Sequence, residues 1–453
     1  MSYLHHTGIY WFNNDLRLAD NEALTRFCEQ ANHAIFVYVL DPRWFKNSHY
    51  QSRHMGLYRW QFICEALQAI NEQLESYGSG LHIKIGYPTE VLSHLINSSN
   101  ATLLAGNRFA GVYEKRQWRH VVGQFPDLTT LVESGHTLFT EEQLPFALDA
   151  LPGHFTPFRK KVEKLSVAPL SHPVNNIPAF PKNFRAENEI DLVPVHWPHM
   201  RQPESNNTDC LFKGGSSAGL DRLDYYLHQS KKVLRDKQTR NALDEFDASA
   251  KLSPWLACGS LSARQVFHHL KSFEVTIEAN ESTYWLYFEL LWREYFQWYL
   301  EKHGKNLFRY RGVQGKAIMT SFWPERFQKW CTGNTPYSLV NACMKQLNAT
   351  GYMSNRGRQI VASCLVNELQ LDWRYGAAYF EQQLGDFDVA SNWGNWQYLA
   401  GVGADPRGAR QFDIQKQAAT YDPDGSFVQK WRAEQNRLPL DSTDMVDWPI
   451  QWH

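Results

Sequence analysis

The sequence predicts two structural units of different class: an α/β N-terminal domain built on a parallel sheet, and an all-α C-terminal domain. Three observations carry this expectation. The chain has 453 residues, too many for one ordinary hydrophobic core. Its first 140 residues alternate short apolar or β-branched runs with helix-like stretches, as a parallel sheet with crossover helices requires. From Gly219 onward, beyond a proline-rich break, the periodicity is helical almost throughout.

Strand-like runs fall at 8–12, 34–40, 81–86, 102–105 and 137–139. Between the second and third, at about 53–77, Leu57, Ile63, Leu67, Ile70 and Leu74 recur at spacings of three, four or six, as on an amphipathic helix. The expected sheet is Rossmann-like, yet no G-x-G-x-x-G follows its first strand, so no dinucleotide is expected on it. Residues 141–205 hold prolines at 145, 152, 157, 169, 173, 178, 181, 194, 198 and 203 and lose all periodicity. They read as a linker running over the surface. Its basic cluster FRKKVEK (158–164) reads as a solvated helix turn rather than a phosphate contact. Candidate helices then cover 219–230, 254–272, 282–303, 336–348, 355–370 and 373–384. The expected division is 1–140 for the α/β domain, 141–205 for the linker, 206–432 for the helical domain and 433–453 for a short C-terminal extension.

Composition narrows the class. With 21% charged and 43% hydrophobic residues the chain is globular. A net charge of −1 excludes a histone-like coat of positive charge and leaves room for one local basic groove. The seven cysteines are scattered without a C-x-x-C pair and read as reduced core thiols. The polar first six residues do not form a signal peptide, and no apolar run reaches the roughly eighteen residues of a membrane helix. A cytoplasmic protein without a membrane partner is expected. Aromatics reach 14%, and eleven of the 17 tryptophans lie beyond residue 280. They mark either a large aromatic core or a site that stacks rings.

Four stretches concentrate chemistry. In YWLYFELLWREYF (284–296), Trp285, Phe288, Trp292 and Tyr295 share one helix face, and Glu289 and Arg293 stand one turn apart. This is either a core stripe with an i,i+4 ion pair or a pair of charges held beside apolar rings for a ligand. In ATGYMSNRGRQIVASCLVNE (349–368), Ser354 suits an N-cap, and Asn355, Arg356, Arg358 and Gln359 crowd the first turn. Two arginines there oppose the helix dipole, so an anion or carboxylate is expected beside them. GDFDVASNWGNWQYLAGVG (385–403) sets Asp386 and Asp388 in a polar loop before Asn392, Trp393, Asn395, Trp396 and Tyr398. Paired carboxylates can be acid/base groups, metal ligands or ion-pair partners. Without a third carboxylate or a histidine no metal is expected, and pairing with Arg358 is the economical reading. In DASAKLSPWLACGSLSAR (247–264), Ser249, Lys251 and Ser253 precede a helix opened by Pro254, a cradle suited to a diphosphate.

In this order and spacing, these stretches resemble the photolyase/cryptochrome family, and closely its DASH-type cryptochrome branch. FELLWRE (288–294), TGYMSNRGRQIVAS (350–363), LDWR (371–374) and SNWGNWQY (391–398) resemble that branch's signatures. So do GIYWFNNDLRLADNEAL (8–24), LPGHFTPFRKKVE (151–163), FKGG (212–215) and DPRGAR (405–410), and the resemblance runs from residue 8 to about 431. It implies an antenna-type α/β domain and a helical FAD-binding domain. Ser249, Lys251, Leu252 and Ser253 match the FAD phosphate loop. Arg358 and Asp386 match a buried ion pair beside the flavin, Asp388 a carboxylate at its ring system, and Asn392 the residue facing N5; Arg293 is grouped with this pocket. Glu289, Trp292, Asn355, Arg356, Gln359 and Tyr398 match a lesion pocket in which Glu289 and Asn355 serve catalysis, and Arg240 resembles a DNA-contacting arginine. Trp396 and Trp373 look like the proximal and middle members of an electron-transfer chain. Its distal position falls on Thr320 in an ungapped match, so Trp323 is expected to serve there.

The resemblance implies light-driven repair of cyclobutane pyrimidine dimers by an electron from reduced FAD. Single-stranded DNA is the expected partner, with RNA a second candidate. Methenyltetrahydrofolate is the expected antenna, and the protein is expected to be a monomer. The alternative is a blue-light photoreceptor; the short stretch after residue 432 and the presence of Glu289, Asn355 and Arg356 favour repair. Three positions depart from the branch. Asp236 stands where a Tyr near the flavin is usual, Ala250 replaces a hydroxyl residue, and Gln411 follows Arg410 where an aromatic is common.

Overall fold

The computed structural model describes residues 5–174, 176–193, 211–405, 408 and 410–441. Parts of the expected linker (175 and 194–205), the start of the expected helical domain with Cys210, residues 406, 407 and 409 of the DPRGAR motif, and 442–453 lie outside the described residues.

The first unit is a parallel five-stranded sheet of order β3-β2-β1-β4-β5. Its strands are β1 (His5–Phe12), β2 (Ala31–Leu40), β3 (Leu81–Ile85), β4 (Leu103–Asn107) and β5 (Thr129–Glu133). Helices α1 (Glu22–Gln30), α2 (Leu57–Ser76), α3 (Pro88–Ser99) and α4 (Val112–Gln124) make the crossovers. Side chains alternate across a strand, so β1 and β2 feed two cores. Tyr10, Phe12, Phe36 and Tyr38 pack on one face, and Ile9, Trp11, Val37 and Val39 on the other. Burial on both faces explains their unbroken apolar runs.

The fifth strand was expected at 137–139 and forms instead at Thr129–Glu133. It is an edge strand in which Leu131 alone is buried, so its polar composition hides it from an apolar reading. The apolar segment after it docks against the second unit. Leu138 N and Phe139 N donate to the Glu294 carboxylate at 2.7 and 3.3 Å, and both side chains enter the helical core.

The second unit is helical: α5 (Phe155–Val162), α6 (Ser216–Asp224), α7 (Asp236–Thr239), α8 (Ser253–Cys258), α9 (Ala263–Thr276) and α10 (Glu281–His303), then α11 (Pro324–Thr332), α12 (Ser338–Thr350), α13 (Asn355–Ser363), α14 (Trp373–Gln383), α15 (Val389–Leu399), α16 (Ile414–Tyr421) and α17 (Ser426–Lys430). The single helix expected at 254–272 is two, α8 and α9. Gly259 breaks it at φ +74°, and a Cβ there would lie 2.0 Å from the Asn14 carbonyl oxygen of the sheet unit. Ser262 then restarts the chain as N-cap of α9 with Gln265 completing a capping box. The stretch at 391–398, expected only as residues following a loop, lies within α15. Its glycine lowers helix propensity, but Gly394 lets the helix close onto Phe296, whose ring carbon would be 2.3 Å from a Cβ there. Among the described residues no helix is long and apolar enough to cross a membrane.

Candidate functional site

The phosphate-loop stretch brings a cation into the interior. Lys251 has a left-handed backbone (φ +58°) and is 7% exposed. Its ammonium donates to Ser249 Oγ at 2.9 Å and lies 4.8 Å from the Tyr352 ring centroid. Among the described residues it forms no ion pair. Burial, and then the nearby Arg222 and Arg358, push its pKa down to about 8. Asp236 and Asp247 offset this only in part, so the site favours an added anion. Leu252 and Ser253 follow at the start of α8, with Pro254 in its first turn. The residues present therefore fit a bound diphosphate.

The two carboxylates of 385–403 separate in role. Arg358 clamps both oxygens of Asp386, at 2.8 and 3.0 Å, and Ser253 Oγ donates to the same carboxylate at 2.6 Å. The economical pairing is therefore the one formed. Asp388 caps α15 through Ser391 N at 2.7 Å and accepts from Gln297 Nε2. Burial alone would raise its pKa, but the facing His136 and Arg293 outweigh this and hold it well below the carboxylate range. Asn392, one turn on, donates to the Ala377 carbonyl at 3.0 Å.

Glu289 and Arg293 do not pair with one another, contrary to one of the two sequence readings. Arg293 turns toward the sheet unit and donates to the carbonyl and to Nε2 of His136, both at 2.6 Å, and to the Leu256 carbonyl at 3.2 Å. Glu289 pairs with Arg240. Each side chain finds a partner on a different element, which a helical spacing cannot reveal. His136 went unnoticed because nothing in its loop sequence distinguishes it. Its burial, and then Arg293, lower its pKa to about 4.

Around Glu289 lies a polar cluster. The Arg240 guanidinium lies 4.9 Å from the Trp285 ring centroid, and the adjacent Asn241 accepts from Arg356 at 3.4 Å. Among the described residues the buried Arg356 Nε has no acceptor, whereas Trp285 offers its N–H to Glu289 and helps hold that carboxylate. Trp292 stacks on Phe155 at 3.7 Å between centroids and meets Tyr398 edge-on at 5.8 Å. Asn355 is exposed and Gln359 half-buried on the first turns of α13. Burial pushes the Glu289 pKa up in spite of Arg240. Of the departures, buried Asp236 accepts from the Tyr226 hydroxyl at 2.6 Å, so a neighbouring turn satisfies it. Gln411 donates to Glu368 at 2.9 Å.

The tryptophans divide between interior and surface. Trp396 fills the niche left by Gly376 and meets Phe380 and Trp330 edge-on at 5.1 and 6.2 Å. Trp373 meets Trp393 edge-on at 5.8 Å and donates to the Tyr310 carbonyl. Trp323 is 41% exposed, with the Arg326 guanidinium 5.0 Å from its ring.

A parallel α/β sheet joined to a helical unit with a buried cationic cradle defines the photolyase/cryptochrome class. Residues 8–179 match the DNA photolyase family and residues 285–451 the FAD binding domain of DNA photolyase. The chain is 48% identical to a Cryptochrome DASH of Idiomarina loihiensis, over 98% of this chain and 96% of that one. It is 44% identical to a Cryptochrome DASH of Vibrio parahaemolyticus, over 98% and 97%. Among solved structures, the Synechocystis sp. PCC6803 cryptochrome superposes with a TM-score of 0.87 at 38% identity, covering 97% of this chain and 91% of that one. A bacterial class III photolyase from Agrobacterium tumefaciens gives 0.82 at 27%, covering 95% and 87%. The chain belongs to the cryptochrome DASH family.

Proposed function

We propose that this chain is a light-driven repair enzyme that opens cyclobutane pyrimidine dimers, preferring single-stranded DNA, with FAD as cofactor and methenyltetrahydrofolate as antenna. The observation that carries this reading is the polar cluster contributed by α7, α10 and α13, where Arg240 pairs with Glu289 and lies over Trp285, Asn241 accepts from Arg356, and the buried Arg356 Nε has no acceptor among the described residues. An unmet buried donor costs about 1–3 kcal/mol, so a guest rich in carbonyl oxygens is the natural occupant. A base reaches such a cluster only outside the stack, which costs least in a single strand.

Bound FAD supplies light-driven one-electron chemistry. Lys251, Ser249 and Ser253 would hold its diphosphate, and the Arg358–Asp386 pair and Asp388 would line the flavin site. Asn392 presents an amide that hydrogen-bonds without acting as an acid. Glu289 and Asn355 orient the dimer and stabilise charge that develops on its carbonyl, with Trp292 and Tyr398 as an apolar wall beside them. Arg240, Arg356 and Gln359 contact the strand. Trp396, Trp373 and Trp323 conduct electrons inward from solution.

The test is blue-light repair of one dimer-bearing oligonucleotide, single-stranded and duplex in parallel, by the purified reduced protein. Repair confined to the single strand is expected. No repair of either, with FAD bound and photoreducible, would overturn the enzyme reading and leave the photoreceptor in its place.

A further inference from the structure

Arg240 and Glu289 form an ion pair, yet the proposed function asks each of them to hold substrate. A guanidinium closed on a carboxylate has fewer donors free for a phosphate, and a carboxylate so engaged cannot offer a proton to a carbonyl. The side chains of Arg240 and Glu289 are 20% and 37% exposed, so the pair is partly open to solvent. Arg240 directly follows the single turn of α7.

We propose that Arg240 is a substrate-operated latch: a phosphodiester draws its guanidinium off Glu289, which then takes a proton from solvent and meets the lesion as a hydrogen-bond donor. The inference rests on the function proposed above. The exchange balances as one ion pair traded for another, Arg240 with phosphate in place of Arg240 with Glu289, and one O–H bond formed with a solvent proton.

The surroundings of Glu289 favour the neutral acid once Arg240 leaves. From α7, Asp236 opposes its ionisation. Lys237, also on α7, is paired with Glu281 at 2.6 Å and lies over the Trp285 ring. On α10 itself, Arg293 is committed to His136. From α5, Arg159 is paired with Glu163 and lies over Phe288. From α9, Lys271 is paired with Glu274 and lies over Tyr287. From α13, Arg356 donates to Asn241 and lies over the Tyr421 ring, so among the described residues Arg240 is the cation in ion-pair contact with Glu289. Partial burial and Asp236 already raise the Glu289 pKa with Arg240 in place, an effect moderated by the 37% exposure of its side chain, and losing that partner moves it further the same way. A neutral carboxyl can donate to a carbonyl that a carboxylate would repel. Arg240 is thus a positioning residue for Glu289.

The experiment is calorimetry in the dark, with the full flavin-loaded chain and a dimer-bearing single-stranded oligonucleotide, in buffers of different ionisation enthalpy. Uptake of about one proton per lesion is expected, with affinity falling toward tenfold per pH unit across the range where Glu289 is ionised only in the free protein. Glu289→Gln is expected to abolish the uptake and flatten the pH slope. Arg240→Gln is expected to reduce the uptake, because Glu289 has then lost its counterion in the free protein, and to lower the salt dependence by about one charge. Flavin absorbance of each purified variant checks that it folds. A wild-type chain with no preference for the damaged over the undamaged strand defeats the functional reading itself. A preference without proton uptake, or an uptake unchanged in either variant, overturns the latch alone.

Discussion

Lys251 carries a buried charge answered by a hydroxyl and a ring face rather than a carboxylate. With the FAD diphosphate at Lys251 as proposed, flavin binding is expected to be pH-dependent. In the ligand-free site its pKa is about 8, and a bound diphosphate raises it, so above pH 8 binding requires uptake of a proton. The affinity of the apoprotein for FAD should therefore be level below about pH 8 and fall toward tenfold per unit above it. Fluorescence titration of the apoprotein measures this, and Lys251→Arg should flatten the profile. The Asp386–Arg358 pair makes the opposite point, since here both charges are met. Arg358→Met strands the Asp386 carboxylate, whose side chain is 3% exposed, and should cost about 3 kcal/mol. Urea unfolding reads the loss, together with a lower flavin content after purification. The Arg358–Asp386 pairing was legible in sequence because two arginines in one helical turn demand an anion. The Arg240–Glu289 pairing was not, since 49 residues separate the partners.

At the scale of the element, α10 serves three neighbours at once. Glu289 faces the polar cluster, Arg293 reaches the loop of His136, and Glu294 holds the segment after β5. Glu294 is fully buried and accepts from Leu138 N, Phe139 N and Trp298 Nε1. Burial nevertheless lifts its pKa to about 7. Between the unfolded value near 4.5 and this one, the folded chain holds a proton that the unfolded chain has lost. The contribution of Glu294 to stability is therefore complete at low pH and is lost as pH rises through about 7. Denaturant unfolding from about pH 5 to pH 8 should show wild type losing up to about 3 kcal/mol relative to Glu294→Gln, which cannot titrate. The length and amphipathic face of α10 were apparent in its spacing. Which of its charged residues served which neighbour was not, because that depends on what packs against each turn.

Across the whole molecule, the two units are joined by buried polar contacts as well as by apolar packing. Asp20 accepts from Ser262 Oγ and from Arg264 at 2.9 Å. Fully buried Arg17 donates to the Gly135 and Gly259 carbonyls at 2.7 and 2.9 Å. Gly259 itself touches the backbone of Asn14. Interfaces of this kind resist relative motion. Asp20→Ala should leave Arg264 buried and unpaired, costing about 3 kcal/mol or more. Differential scanning calorimetry should show one cooperative transition in wild type, and in the variant either a lower midpoint or two separated transitions.

The sequence alone determined the order of classes, the central strands, the long helices and the Arg358–Asp386 pairing. Each of these rests on signals local to a few turns of chain: alternation, helical spacing, caps and short motifs. It placed the fifth strand wrongly because an edge strand buries little, and its apolar neighbour was reserved for the helical unit. It joined α8 to α9 because the break at Gly259 answers to Asn14, more than two hundred residues away. Only the tertiary structure decided which other charges meet, because side-chain partners are set by which surfaces come together and not by position along the chain. His136 between Arg293 and Asp388, Tyr226 on Asp236, and Arg240 on Glu289 are the results.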